Sequence, residues 1–192
     1  MKDVMLGKGA AFLGCLWLAL PLATPCAAAS AGQTLLGKPA PEWQATNWLN
    51  TAPLTLRELR GKVVLVRWWT APDCPYCAAT APALNEFYRA YHSQGLAVIG
   101  FYHHKSSEPL KPEAVEQYAR NFGFQFPVAI DPGWRTLNDW WLDRGDQQWT
   151  SVSFLIDRKG IVRHLHPGGQ YVKGDKDYRA LQKKIEELLA EK

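Results

Sequence analysis

Short apolar runs alternate along the chain with segments in which apolar side chains recur every three or four residues. Four runs are bounded by polar or turn-forming residues and predict buried strands, at residues 63–66, 96–102, 127–131 and 152–156. Three periodic segments predict amphipathic helices, at residues 78–91, 112–121 and from about 175 to the C-terminus. Because strand, helix and strand follow one another, the strands at 63–66 and 96–102 should form a parallel pair joined by a right-handed crossover. The pattern predicts an α/β fold.

Shorter elements complete this pattern. Residues 161–166 follow a tight turn and predict an antiparallel partner for the strand at 152–156. Residues 42–49 include a candidate edge strand, and residues 133–142 predict a short helix. Asp175 or Asp177 is suitably placed to cap the last helix. The expected result is a mixed central sheet with helices on both faces.

The N-terminal residues have the composition of a targeting segment. Lys2 and Lys8 precede an apolar run at 10–23, and small residues follow at 26–29. We therefore expect residues 1–29 to be a cleaved signal peptide, residues 30–36 a flexible tail and residues 37–192 the folded domain. This predicts an exported, periplasmic protein. A lipid-bearing cysteine and an uncleaved leader that anchors the protein in the membrane are the alternatives.

After loss of the leader, the chain keeps two of its four cysteines, Cys74 and Cys77. They lie where the strand at 63–66 ends and the helix at 78–91 begins, and a helix N-terminus stabilises a thiolate. A bridge across so short a loop adds little stability, which favours redox chemistry over a structural role. We expect Cys74 to face outward and Cys77 to lie behind it. The pair is itself the predicted redox centre, with no other cofactor and no bound metal.

The segment 68–77, together with its context, resembles the thioredoxin superfamily. The context resembles the exported TlpA/ResA-type and DipZ-type redoxin domains, through residues 37–41, 56–62, 96–100 and 154–160. The resemblance implies a three-layer thioredoxin-like fold with an N-terminal extension and an extra helix–strand insertion at 112–131. It also implies a thiol–disulfide oxidoreductase that reduces protein disulfides and is recharged by a membrane thiol–disulfide electron donor. We expect the protein to be a monomer.

Within this resemblance, Cys74 is the attacking thiolate and Cys77 is the resolving thiol. The remaining predicted site residues bind substrate or tune the pair: Trp69, Asp73, Pro75, Tyr76, Thr150 and Ser151. Pro75 and Tyr76 lie between the two sulfur atoms.

The chain departs from the family pattern at several positions. Ser151 aligns where a cis-proline normally faces the cysteines, which predicts a trans or strained peptide bond in this loop. Thr80 replaces the glutamate of ResA-type proteins, and Trp68 is predicted near the position of thioredoxin's buried acid. The loop at 70–73 is one residue longer than usual, and the charge of Asp73 should raise the pKa of the Cys74 thiol. The Thr-x-x-Cys signature of peroxiredoxins is absent.

Predictions for the histidines and tryptophans outside this segment are less specific. We expect the pair at 103–104 to be ordinary surface histidines, whereas His164 and His166 share one strand face at a spacing that can bind metal. Four tryptophans could form an apolar surface for a protein substrate, although core packing is the simpler expectation: Trp134, Trp140, Trp141 and Trp149.

Charge excludes one class of function, and two alternatives to the oxidoreductase remain open. The net charge is only +4 and no Lys/Arg cluster occurs, so we expect no nucleic-acid binding. A Sco-like copper metallochaperone would use a similar fold with two cysteines and a histidine, but with three residues between the cysteines. The other alternative is a thioredoxin-fold binding module with weak exchange activity.

Overall fold

The computed structural model describes residues 35–71, 73–145 and 147–191. Its strands are β1 (Asn47–Leu49), β2 (Val63–Trp69), β3 (Leu96–His103), β4 (Val128–Asp131), β5 (Ser153–Ile156) and β6 (Val162–His166). Its α-helices are α1 (Pro75–Tyr91), α2 (Pro112–Asn121), α3 (Arg135–Trp140) and α4 (Lys176–Ala190). The strands form one sheet in the order β1-β4-β3-β2-β5-β6.

The sheet is mixed, as predicted. Strands β2, β3 and β4 are parallel to one another, whereas β1, β5 and β6 each pair antiparallel with a neighbour. Every residue of β2 is buried, which explains why its sequence is a nearly continuous apolar run. Helices α1, α2 and α4 pack on one sheet face, and α3 packs on the other together with the segment before β2. The predicted α/β fold with helices on both faces is confirmed.

The predicted insertion and extension form one edge of the sheet. Helix α2 leads into β4, and β1 adds to the outer side of β4. Two tryptophans of the N-terminal segment pack on the core. Trp43 is buried, with its ring stacked against Trp140 at a centroid distance of 6.3 Å, and the half-buried Trp48 packs against Phe101 at 6.1 Å. Helix α1 continues through Pro82 without a break. None of the described helices is long and apolar enough to cross a membrane.

Leu35, which falls in the predicted tail, packs against the folded domain. The predicted signal peptide at 1–29 and most of the predicted tail at 30–36 lie outside the described residues. Leu35 is buried in the core cluster of Trp43 and Leu56, and the amide of Gly37 donates to the carbonyl of Val162 at 2.8 Å. The division of the chain into signal peptide, tail and domain stays a prediction.

His103 is fully buried at the end of β3, so the prediction of a surface histidine is wrong for this residue. Its ring packs edge-on against Trp134 at 5.3 Å, and neither ring nitrogen has a hydrogen-bond partner among the described residues. Burial, with the positive charges of Lys105 and Arg67, lowers the pKa of His103 to about 3. The imidazole is therefore neutral at physiological pH. The neighbouring His104 is half-buried.

The structure selects Asp175 as the cap of α4, and this assignment predicts a stability difference. Its carboxylate accepts hydrogen bonds from the amides of Tyr178 at 2.6 Å and Val172 at 2.7 Å. We expect Asp175→Ala to lower the free energy of unfolding by about 1 kcal/mol in urea denaturation, because capping bonds have this magnitude. Asp177→Ala is the matched control, since Asp177 is an acid in the same turn. An equal loss in both variants would contradict the capping assignment.

The buried His103 predicts a pH-dependent stability. The unfolded chain binds the proton near pH 6.5, whereas the folded chain binds it only near pH 3. Stability is therefore lost as the pH falls below about 6.5, with a slope approaching about 1.4 kcal/mol per pH unit. We expect His103→Phe to lack this part of the slope between pH 6.5 and 5 in chemical denaturation. Identical slopes in the two proteins would show that His103 does not titrate on unfolding.

Candidate active site

The two cysteines lie at the junction of β2 and α1. Strand β2 ends at Trp69, and Cys74 is the N-cap residue of α1. Its sulfur atom accepts a hydrogen bond from the amide of Cys77 at 3.3 Å, and a disulfide joins the two residues across a Cα separation of 5.3 Å. Pro75 opens the helix, where its missing N–H costs no hydrogen bond. The local sequence thus places both sulfur atoms at the positive end of the helix dipole.

The two cysteines differ in exposure. Cys74 is half-buried, whereas Cys77 is only 3% exposed and belongs to the core cluster beneath α1. A substrate can therefore approach the sulfur of Cys74 more readily than that of Cys77. This arrangement agrees with the roles predicted for them, attack by Cys74 and resolution by Cys77.

A groove of about 810 Å³ opens beside the disulfide. Both cysteines line it, together with five of the residues predicted to bind substrate or tune the pair: Asp73, Pro75, Tyr76, Thr150 and Ser151. Loop residues after β3 form another side of the groove, with His104, Lys105 and Lys111 among them. Asp73 is exposed and directly precedes Cys74.

Trp69 does not line the groove but lies in the core cluster that contains Cys77, and its role as a substrate-binding or tuning residue stays a prediction. Its ring is buried and packs edge-to-face against three aromatic rings, those of Tyr102, Phe122 and Phe124. The pleat of β2 turns this side chain toward the helix-covered face, in the cluster that includes Cys77. Trp69 supports the site from below.

Trp149 and Tyr76 form an exposed aromatic rim on the groove. Their rings meet edge-to-face at 5.3 Å, with 50% of Trp149 and 36% of Tyr76 exposed. The carbonyl of Trp149 accepts a hydrogen bond from the indole of Trp141 at 2.6 Å. Gly168 allows a close approach, because a Cβ atom there would lie 2.3 Å from that of Trp149. The rim is therefore held in place from beneath.

Of the four tryptophans between residues 134 and 149, three pack in or against the core and one is exposed beside the groove. Trp140 and Trp141 are fully buried in the core, and Trp134 is half-buried with its indole donating to the carbonyl of His104 at 2.7 Å. Core packing is confirmed for these residues. Trp149 instead lies on the surface beside the disulfide.

Ser151 forms the groove wall on a trans peptide bond, since no peptide bond of the described chain is cis. The residue is buried, and its carbonyl accepts a hydrogen bond from Nη1 of Arg67 at 2.6 Å. A side chain from the central strand therefore fixes the loop at the position where the family pattern has a cis-proline.

Arg67 is the functional residue that the sequence reasoning missed. It lies in β2 and is fully buried. Its Nη2 atom donates to the carbonyl of Gly169 at 2.7 Å and to Oγ1 of Thr80 at 3.4 Å, and its guanidinium lies 5.2 Å from the ring centre of Tyr171. A charged residue inside an otherwise apolar strand was the available signal, because such residues are rarely buried without a purpose.

The structure also corrects the expectation for Trp68. Its side chain lies in the core cluster on the opposite sheet face, against Phe101 and Trp140. Arg67, one residue earlier, lies on the sheet face that α1 covers, where it donates to Thr80 of that helix. The prediction that Trp68 lies near this position is therefore wrong, and Arg67 and the ring of Trp69 lie on the face that carries Cys77.

Burial shifts the titration of the groups around Arg67. It lowers the pKa of the Arg67 guanidinium and raises the pKa of the Tyr171 hydroxyl, because it disfavours both charged forms. Burial also lowers the pKa of His166 to about 4, assisted by the charge of Arg67 and opposed by Asp177 at 3.6 Å. The pKa of His164 is lowered by burial as well.

The two histidines of β6 were the candidate metal ligands. In the part of the chain that the structure describes, no three His, Cys, Asp or Glu side chains are grouped so that they could hold a metal ion. The ring of His166 packs edge-on against Tyr171 at 5.1 Å.

Comparison with known proteins agrees with this geometry. The AhpC/TSA family model matches residues 36–165. Protein DipZ of Mycobacterium bovis is 35% identical over 147 residues, which are 75% of this chain and 19% of DipZ. The thiol-disulfide oxidoreductase ResA of Geobacillus kaustophilus is 30% identical over 133 residues, covering 69% of this chain and 70% of ResA. A solved thioredoxin-like superfamily protein has a TM-score of 0.65 at 30% identity, over 80% of this chain and 97% of that one.

These similarities confirm the predicted family resemblance and the thioredoxin-like fold. The chain spans about a fifth of the length of the DipZ relatives that it matches. Because the family model covers residues 36–165, the match includes the groove, the cysteine pair and the sheet beneath them. The chain therefore belongs to the AhpC/TSA family, as a thioredoxin-like relative of the ResA-type thiol–disulfide oxidoreductases.

Proposed function

We propose that this chain is an exported thiol–disulfide oxidoreductase that reduces disulfides of protein substrates. The observation that carries the proposal is the asymmetric pair at the start of α1, with Cys74 open to the groove and Cys77 buried behind it. An exposed attacking thiol needs a resolving thiol that is close and protected from the substrate. The Cys74–Cys77 pair meets both requirements.

The reaction proceeds in two exchanges. In the dithiol form, the Cys74 thiolate attacks one sulfur of the substrate disulfide, forming a mixed disulfide and releasing the other substrate sulfur as a thiolate that takes up a proton. Cys77 then loses its proton and attacks the sulfur of Cys74. This step closes the Cys74–Cys77 disulfide and releases the second substrate thiol. Two electrons have moved from the cysteine pair to the substrate.

The partners follow from the groove and from this electron balance. A groove of about 810 Å³ with an aromatic rim suits an extended segment of a protein substrate better than a small disulfide alone. Each turnover leaves the pair oxidised, so a thiol donor must reduce it. We assign this role to a membrane thiol–disulfide electron donor, with the protein acting as a monomer.

Export is proposed from the sequence pattern at 1–29, with its charged start, apolar run and small residues. The periplasm is the compartment proposed. A reducing role there requires delivery of electrons across the membrane, in agreement with a membrane donor.

The order of the two cysteines gives a direct test. We expect the reduced Cys77→Ser variant to accumulate a mixed disulfide with a disulfide-containing substrate peptide, because no resolving thiol releases Cys74. Cys74→Ser is the matched control and should form several-fold less adduct, since Cys77 is buried. Intact-mass spectrometry of the quenched mixtures measures both. Equal trapping by the two variants would contradict the assigned roles.

The direction of electron flow is tested on the same wild-type domain by equilibration with glutathione. A reduction potential below about −220 mV supports the reductase, whereas a value near about −120 mV would make the protein an oxidant. The absence of any reversible couple would overturn the oxidoreductase itself.

We predict that the aromatic rim contributes to substrate binding and not to the rate of disulfide exchange. We expect Trp149→Ala to raise KM for a peptide disulfide several-fold with an unchanged kcat, because the ring supplies binding area and does not contact the reacting bond. The matched control is Leu36→Ala, which removes a similarly exposed apolar side chain outside the groove. A lower kcat with an unchanged KM would show that Trp149 acts on the chemical step instead.

A further inference from the structure

The guanidinium of Arg67 is a buried cation without an anionic partner in the described chain. Its hydrogen bonds all go to neutral oxygen atoms, those of Ser151, Gly169, Thr80 and Ser153. Its Nε atom has no hydrogen-bond partner. Burying a charge without a counter-ion costs folding free energy. Here the unpaired charge lies in β2, a central strand of the sheet.

The cation lies beneath the cysteine pair. The pleat of β2 puts Arg67 on the same sheet face as Leu65 and Trp69, the face that α1 covers. Nη2 reaches Oγ1 of Thr80, which lies three residues after Cys77 on α1. Residues three apart on a helix are neighbours on one face, and both Thr80 and Cys77 are buried there. The guanidinium therefore contacts α1 at a residue that lies about one helical turn from the resolving cysteine.

We propose that Arg67 is a positioning residue of the redox couple, whose fixed positive charge stabilises the thiolate that forms at the Cys74–Cys77 pair on reduction. This inference rests on the proposed oxidoreductase function and names the group that sets its potential. The thiolate supplies the negative charge that the buried guanidinium lacks in the disulfide form. The reduced state is thereby favoured, and the couple becomes more oxidising than it would be without Arg67.

The electron balance of the measurable reaction is simple. Two molecules of glutathione reduce the Cys74–Cys77 bond, and their two sulfur atoms join as glutathione disulfide. The two thiol protons go to the protein cysteines, or to solvent where a cysteine remains a thiolate. A charge that stabilises the thiolate shifts this equilibrium toward the dithiol form and makes the shift larger at higher pH.

Other charged and titratable groups face the pair. On the groove side they are Asp73, Tyr76, Tyr102, His103, His104, Lys105, Glu108, Lys111 and Tyr118, and on the Arg67 side they are His166 and Tyr171. His103 and His166 are neutral at pH 7, because burial holds the pKa of each far below that pH. Asp73 is exposed and opposes a thiolate. Arg67 is thus the buried group that keeps a positive charge at the site.

The test compares Arg67→Met with the wild-type domain in glutathione redox buffers. We expect the equilibrium constant to shift about tenfold toward the disulfide, which is about 30 mV for a two-electron couple. We also expect the pKa of the reactive thiol, from the pH dependence of alkylation, to rise by about one unit. The equilibrium constant and the thiol pKa of Arg67→Lys should lie between those of wild type and Arg67→Met, because lysine restores the positive charge but not the planar guanidinium group.

Two controls separate charge from loosened packing. Ser153→Ala removes a hydrogen-bond acceptor of Arg67 and keeps the cation, so its equilibrium constant should stay within threefold of wild type. Raising the salt concentration to 0.5 M should leave the difference between wild type and Arg67→Met intact, since salt screens buried charges weakly. A difference that vanished with salt would show that solvent screens the charge of Arg67, contrary to a buried cation beside the pair, and would overturn the proposal.

The outcomes of this test are separable from those of the proposed function. A wild-type domain without a reversible couple overturns the oxidoreductase, whatever the variants do. A reversible couple whose potential and thiol pKa are unchanged in folded Arg67→Met overturns the role of Arg67 alone. If Arg67→Met does not fold, the wild-type alkylation profile decides. A reactive thiol that titrates at or above about pH 8.5, the value of a free cysteine, would then overturn the proposal.

Discussion

The burial of one guanidinium organises the active site. Arg67 reaches from the central strand to α1 through Thr80, to the groove wall through the carbonyl of Ser151 and to the loop after β6 through the carbonyl of Gly169. Three segments that are distant in sequence therefore share one donor group. A buried guanidinium requires acceptors in fixed directions, and the neutral oxygen atoms around it meet that requirement only if all three segments keep their places.

This constraint complements the exposure difference between the cysteines. Cys77 packs in the core cluster with Trp69, on the sheet face that holds Arg67, whereas Cys74 caps α1 at the edge of the groove. The helix N-terminus acts on both sulfur atoms, but the buried cation lies closer to the protected side. The outer sulfur lies at the groove, which Trp149 and Tyr76 also line. The substrate contact and the charge stabilisation that we propose therefore belong to different layers of the fold.

Hydrophobic periodicity predicted the fold well because it reports burial directly. The bounds of α2 agree with the prediction, and β1 through β6 lie within a few residues of theirs. Periodicity could not report what single polar residues do inside such runs. Arg67 lies within β2 and His103 ends β3, both in strands whose other residues are mostly apolar, and the periodicity does not show that these two polar side chains are buried.

The hydrogen bonds of Arg67 also explain how the loop at Ser151 is held without a proline. A trans serine loses the rigidity of a proline ring, and its carbonyl needs a hydrogen-bond donor once it is buried. Arg67 supplies that donor from the strand below. Because the same side chain carries the charge proposed to stabilise the thiolate, the shape of the docking loop and the potential of the cysteine pair depend on one residue. A change in this chain that tunes one of these properties through Arg67 therefore alters the other.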